Sequence, residues 1–169
     1  WKLDLSQGIA EGQWRELPSW PGPERILPVM AAQNGQVFLV SGAQLLPDPE
    51  GGVTREFLKD AYAFDPEEER WRTLSGPPVP FVAAPNPGIS VGYSDILFMV
   101  GDDGEYFFRQ DEMRTSHPGF PVGLYRYHSV TDRWSREGDF PRVQDPNQNQ
   151  DPRSNGGRFP PVTTPVVSW

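Results

Sequence analysis

"DAYAFDPEEERWRTL", residues 60–74, alternates small and aromatic residues up to Asp65, passes through Asp65-Pro66 and three glutamates, and resumes at Trp71. Period-two alternation on both sides of a short polar break is the pattern of two antiparallel strands joined by a tight turn. The layout recurs at residues 123–137, "GLYRYHSVTDRWSRE", where Tyr125 and Tyr127 alternate, a polar turn follows, and Trp134 opens the next run. Trp71 lies six positions after Asp65, and Trp134 lies six positions after His128. A weaker third copy opens the chain: in "WKLDLSQGIAEGQWREL", Leu3-Asp4 leads to Trp14 through a longer turn. Tryptophans at 14, 71 and 134 give a loose period of roughly 60, so the chain reads as repeats.

Upstream of Trp71 the rest of one unit is present. "ILPVMAAQ" (26–33) is an apolar run, Asn34-Gly35 is a strong two-residue hairpin signal, and "QVFLVSG" (36–42) follows, ending in glycine. After a long polar stretch come "DAYAFD" and "WRTL". These are four strands, a to d, joined as a meander. The next unit has "GISVG" (88–92), a turn at Tyr93-Ser94-Asp95, "ILFMVG" (96–101), a long loop, "GLYRYH" and "RWSRE". Gly42 and Gly101, 59 positions apart, each close strand b. Strands are expected near 26–33, 36–42, 58–64, 70–74, 88–92, 95–100, 123–128 and 133–137. The units are a blade end at 1–17, blades at 25–74 and 86–137, and a blade start at 158–169.

Composition agrees with many short strands and excludes several functions. The 169 residues include 20 Pro, 17 Gly and 12% aromatics, which suits a many-turned β protein better than a helical bundle. A net charge of −8 with scattered Lys and Arg speaks against a nucleic-acid partner. No apolar run approaches the ~20 residues of a membrane span. Without cysteine there are no disulfides or thiolate metal sites. The chain begins at Trp1 rather than Met and ends in a strand-like run. The expectation is therefore a segment of a longer protein, partnered by that protein's remaining blades.

A lone four-stranded meander cannot bury both faces. Radial stacking, as in a β-propeller, covers them and leaves only short edges. Sandwiches and barrels give no reason to repeat a glycine-ended strand b and a Trp-led strand d at one spacing. The predicted fold is thus all-β, a propeller segment with two complete blades and two partial ones.

The order apolar strand, glycine-ended strand, "AYAFDPEEERWRTL" resembles the kelch repeat, which forms one propeller blade per copy. The kelch pattern usually closes strand b with Gly-Gly, where this chain has Ser41-Gly42-Ala43 and Val100-Gly101-Asp102. "WRELPSWPGPERILPVMAAQNGQVFLVSGA" with "FLKDAYAFDPEEERW" more narrowly resembles the N-acetylneuraminate epimerase (sialic acid mutarotase) family. That resemblance implies anomer interconversion of a sialic acid, an acidic sugar or glycan as partner, and a periplasmic or secreted location. It carries no catalytic residue onto residues 1–169, because no motif there matches the family's acid and arginine. The alternative is a non-catalytic kelch module that binds a protein or glycan.

Meander topology names the functional face independently. The a–b and c–d turns, at one end of each blade, are short; the b–c and d–a connections, at 43–57, 102–121 and 138–159, are long. Long loops on a rigid scaffold are where binding chemistry sits. Strand a lines the central channel, so Arg25, Asn86 and Arg158, just before it in three repeats, are the candidate ligand-binding residues. A guanidinium there suits a carboxylate through its planar fork. The structural alternative is that each Arg caps carbonyls or pairs with an acid such as Glu24. The acidic turn at 65–69 reads as a solvated turn, and the three repeated tryptophans read as packing residues. "GDDGEY" and "DEM" gather carboxylates in one loop without EF-hand spacing, so neither metal nor cofactor is expected. His117 is a lone loop base candidate and His128 a turn residue. Copper chemistry of the galactose-oxidase kind, which needs a cross-linked Cys, does not fit this segment.

Overall fold

The computed structural model of the chain describes residues 1–109, 113, 119–140 and 163–167. β1 (Lys2–Asp4) and β2 (Gln13–Arg15) form a two-stranded ribbon around a 3-10 turn at Ile9–Glu11. β3 (Val29–Gln33) and β4 (Gln36–Val40) begin the first complete blade. β5 (Ala43–Pro47) and β6 (Val53–Phe57) form a separate hairpin. β7 (Ala61–Asp65) and β8 (Arg70–Leu74) then complete the sheet in the order β3-β4-β7-β8. The second sheet runs in chain order through β9 (Ile89–Val91), β10 (Asp95–Met99), β11 (Gly123–His128) and β12 (Arg133–Asp139). Both are the expected antiparallel meanders.

The repeat equivalence holds at single-residue register. Leu3 faces Trp14, Phe64 faces Trp71, and Tyr127 faces Trp134. Each c–d turn opens in the same way. Asp65 Oδ1 accepts the Glu67 and Glu68 N–H groups at 2.9 and 3.1 Å, Asp4 Oδ1 accepts Ser6 N–H at 2.9 Å, and His128 Nδ1 accepts Thr131 N–H at 3.1 Å. A side-chain acceptor at this position replaces a backbone turn bond, a role filled by aspartate in two units and by His128 in the third.

Strand boundaries depart from expectation for identifiable reasons. β3 starts at Val29 rather than 26 because Leu27 is left-handed (φ 54°) and Pro28 has no N–H to give. β4 stops at Val40 because Ser41 (φ 57°) and Gly42 (φ 104°) turn the chain. A Cβ on Gly42 would lie 2.8 Å from Ile26 O, and one on Gly101 would lie 2.3 Å from Val82 O. Glycine thus closes strand b because the chain there lies against the run entering strand a. Ile26 and Ala43 exchange two backbone hydrogen bonds at that contact, as do Val82 and Asp102. The stretch 43–57, expected to be an irregular polar loop, is the β5–β6 hairpin. Its turn is closed by Gly51 N–H to Asp48 O at 2.9 Å.

The core lies between the two sheets and is built from Phe38, Phe81, Ile96, Phe98, Val100 and Tyr127 with smaller Val and Ala residues. Phe81 stacks on Phe98 at 5.9 Å, and Phe38 meets Tyr127 edge-on at 6.1 Å. Burial of such side chains is worth about 1.5–3 kcal/mol each. Face-to-face blades alone would allow a sandwich; the inner strands rule it out. Gly88 N–H donates to Met30 O at 2.8 Å, and Asn86 pairs in parallel with Pro165, so inner strands of successive units lie side by side about one axis.

The repeated tryptophans behave in two ways. Trp71 and Trp134 are half-buried and touch both their own and the neighbouring unit. Trp14, expected to pack likewise, is 65% exposed. Among the described residues, its two-stranded ribbon has no sheet on that face.

Candidate functional site

The described parts of the long connections, at 43–57, 75–85 and 102–109, meet one another and the runs entering the inner strands at one end of the blades. Three non-glycine residues with positive φ stand there: Leu27 (54°), Ala83 (51°) and Thr163 (52°). They are joined hand to hand, Ala83 N–H donating to Leu27 O at 3.3 Å and Thr163 N–H to Ala83 O at 2.7 Å. Below them the inner wall encloses a concavity of about 370 Å³, lined by Met30, Ala32, Gly88, Ser90 and Val166 among others. The Ser90 hydroxyl donates to Ala32 O, so this wall is small and mostly apolar.

Arg25 lies in the linker before β3, and its side chain, 1% exposed, turns towards the end of β4 and the start of β7 rather than lining the inner-wall concavity. Its fork is held by Asp60, at 2.6 Å from one terminal nitrogen and 2.7 Å from the other. It also donates to Ser41 O at 3.0 Å and Pro23 O at 3.3 Å, and lies between the rings of Trp20 and Tyr62. Tyr62 Oη donates to Asp60 at 2.9 Å. Partial burial pushes the Asp60 carboxyl up, but the hydrogen bonds from Arg25 and Tyr62 outweigh it and leave the carboxyl below its ordinary value. The partner is Asp60, not the adjacent Glu24. The cluster ties the linker to the end of β4 and the start of β7.

Asn86 is also engaged. Its Oδ1 accepts the Met30 N–H at 3.0 Å, its amide nitrogen donates to Pro28 O at 3.4 Å, its backbone N–H donates to Thr164 O, and its carbonyl accepts Val166 N–H. One residue thus bonds to the inner strands on both sides of it. Arg158, His117, Asp111 and Glu112 lie outside the described residues. In the acidic loop, Asp102 and Asp103 side chains accept the backbone N–H groups of Gly104 and Glu105, folding their own turn.

The β5–β6 hairpin was the part of this face that local sequence reasoning missed. It packs on the long loop of the next blade: Phe57 meets Phe107 at 5.4 Å, and the Arg55 guanidinium lies 4.9 Å over the Phe107 ring. Gly104 (φ +83°) passes so close that a Cβ there would sit 2.7 Å from the Phe57 ring. A hollow of about 290 Å³ lies between hairpin and linker, lined by Glu24, Arg25, Ile26, Gln44 and Leu45.

Glycine-closed, Trp-led four-stranded meanders ranged about one axis define a kelch-type β-propeller segment. The chain resembles the N-acetylneuraminate epimerases. It is 27% identical over 158 residues to the curated N-acetylneuraminate epimerase of Haemophilus influenzae (strain 86-028NP), covering 82% of this chain and 40% of that protein. It is 25% identical over 149 residues to that of Pasteurella multocida (strain Pm70), covering 76% and 38% respectively. The chain therefore spans about two fifths of the length of these relatives. Its fold matches the solved structure of YjhT with a TM-score of 0.61 and 18% identity, over 82% of this chain and 44% of that one. No protein-family model matches the chain.

Proposed function

We propose that the protein of which these blades are part interconverts the anomers of a sialic-acid-type sugar, working outside the cytoplasm. The observation that carries this reading is the match to N-acetylneuraminate epimerases across four fifths of the chain. Mutarotation asks for little machinery. A proton leaves the anomeric hydroxyl, the ring C–O bond opens, and the ring oxygen gains a proton; closure on the other face gives the other anomer. One acid and one base near neutral pKa suffice.

The substrate meets the long-loop face at the channel mouth. Arg25 and Asn86 are already held by protein partners, and a sugar carboxylate reaching Arg25 would have to displace Asp60. Arg158 is then the candidate for the carboxylate, a role read from its repeat position. The test is NMR observation of the freshly released α-anomer with the full-length protein. Faster approach to anomeric equilibrium than in buffer supports the reading, and an unchanged rate at saturating protein overturns it. Arg158→Ala is expected to weaken binding of the acidic sugar more than of a neutral analogue, by about 1.5–3 kcal/mol. The engaged state of Arg25 and Asn86 favours one other reading, a non-catalytic module binding a protein or glycan by the same loops. Saturable sugar binding with no rate acceleration would select it.

A further inference from the structure

At the short-turn end, two adjacent side chains of the first complete blade reach into the second. Gln33 is buried; its Nε2 donates to Asp95 O at 2.9 Å and its Oε1 accepts the Ser129 hydroxyl at 2.8 Å. Beside it, Asn34 Nδ2 donates to Tyr93 O at 2.6 Å. Asn34 and Gly35 are the two residues of the β3–β4 turn, both exposed and both left-handed, at φ 49° and 75°. Among the described residues the Gly35 N–H meets no acceptor, and a Cβ built on Gly35 would touch nothing within 4 Å. The main-chain nitrogen that follows the Asn34 amide is therefore unbonded and open to water. Asn86, the other asparagine among the described residues, precedes Pro87, whose nitrogen carries no hydrogen.

We propose that Asn34 is a site of self-modification: it deamidates in place, and the change releases one of the two side-chain ties between these blades. The Gly35 nitrogen attacks Asn34 Cγ, the Cγ–Nδ2 bond breaks, and ammonia leaves with the proton that the Gly35 nitrogen gave up. This closes a five-membered imide, which water opens at either carbonyl to leave aspartate or isoaspartate. Glycine in second place offers no side chain to hinder the attack. Either product sets an acceptor where a donor faced the Tyr93 carbonyl, so the bond between the blades cannot re-form. Isoaspartate also carries its β-carbon in the main chain, lengthening a two-residue turn whose size fixes the β3–β4 register. This inference is independent of the sugar chemistry.

Ageing the folded full-length protein in mildly alkaline buffer, followed by tryptic digestion and mass spectrometry, tests it. Asn34 is the only asparagine of the tryptic peptide 26–55, and Asn155, which also precedes glycine, lies in the peptide 154–158 and serves as the reference. Ageing continues until 154–158 has converted. Peptide 26–55 is then expected to show the mass change from amide to acid, and to gain it faster at higher pH. The aged protein and fresh Asn34→Asp should both melt a few degrees below fresh wild type. Aspartate tolerates the left-handed turn, so the loss in that variant reports the contact with Tyr93 rather than a broken hairpin. Peptide 26–55 unchanged beside a converted 154–158 would overturn the proposal. Conversion at Asn34 with the Tm unaltered in both samples would overturn the release of the blades.

Discussion

Arg25 shows how a residue chosen for one chemistry is committed to another. A buried guanidinium with a bidentate carboxylate and two carbonyls is satisfied, and removing one partner leaves a charge stranded. Arg25→Met is expected to cost about 3 kcal/mol in chemical denaturation, most of it from the unpaired Asp60 carboxylate. Asp60→Asn in the same background should recover part of that loss; full additivity of the two would mean they are not coupled. The place of Arg25 just before the inner strand was legible from repeat arithmetic. Its partner was not, because Asp60 is 35 positions away and ends a loop whose path no local pattern gives. Trp134 is the converse case, since its packing role followed from recurrence alone. Trp134→Phe should cost about 1 kcal/mol for the lost bond to Ser75 O, and Trp134→Ala about 3 kcal/mol, with thermal unfolding as the measure.

At the scale of the element, the strands were readable and the extra hairpin was not. Continuous apolar runs mark β4 and β7, which are buried on both faces over most of their length, and the alternating Tyr125 and Tyr127 mark β11. The run 43–57 carries two prolines, an aspartate and two glycines around its turn, and its outward residues Leu45 and Val53 are exposed, so it lacks the signal of a buried strand. What holds it is contact with the neighbouring blade through Phe57 and Phe107. Phe57→Ala, or Gly104→Val, which would drive a side chain into the Phe57 ring, is expected to speed amide exchange across residues 102–109 in hydrogen-exchange mass spectrometry. Exchange in β10 and β11 should be unchanged, because those amides are held by the blade's own ladder. Unaltered exchange at 102–109 would show that the loop keeps its conformation without the hairpin.

For the whole molecule, stability is a chain of contacts between neighbouring units, and two carboxylates make it sensitive to acid. Asp60 is pushed up by burial and drawn down further by Arg25 and Tyr62. Asp132 is likewise pushed up by burial and drawn down by Tyr127 and Ser75, and its bonds to Ser75 cross between blades. Both sit below their ordinary values when folded. Their stabilisation is complete above the unfolded carboxylate value of about 3.9 and is lost as pH falls from there through the folded values. Urea midpoints should therefore be flat near neutrality in these two terms and drop below about pH 4, less steeply in Asp132→Asn. An equal slope in that variant would exclude Asp132 from the acid response. The linked main-chain groups of Leu27, Ala83 and Thr163 carry a different consequence. A leucine, an alanine and a threonine occupy the same place because only their amide and carbonyl groups set the angular step from unit to unit. Side chains at the entrance can be exchanged by evolution, one unit at a time, while the bore of the ring keeps its gauge.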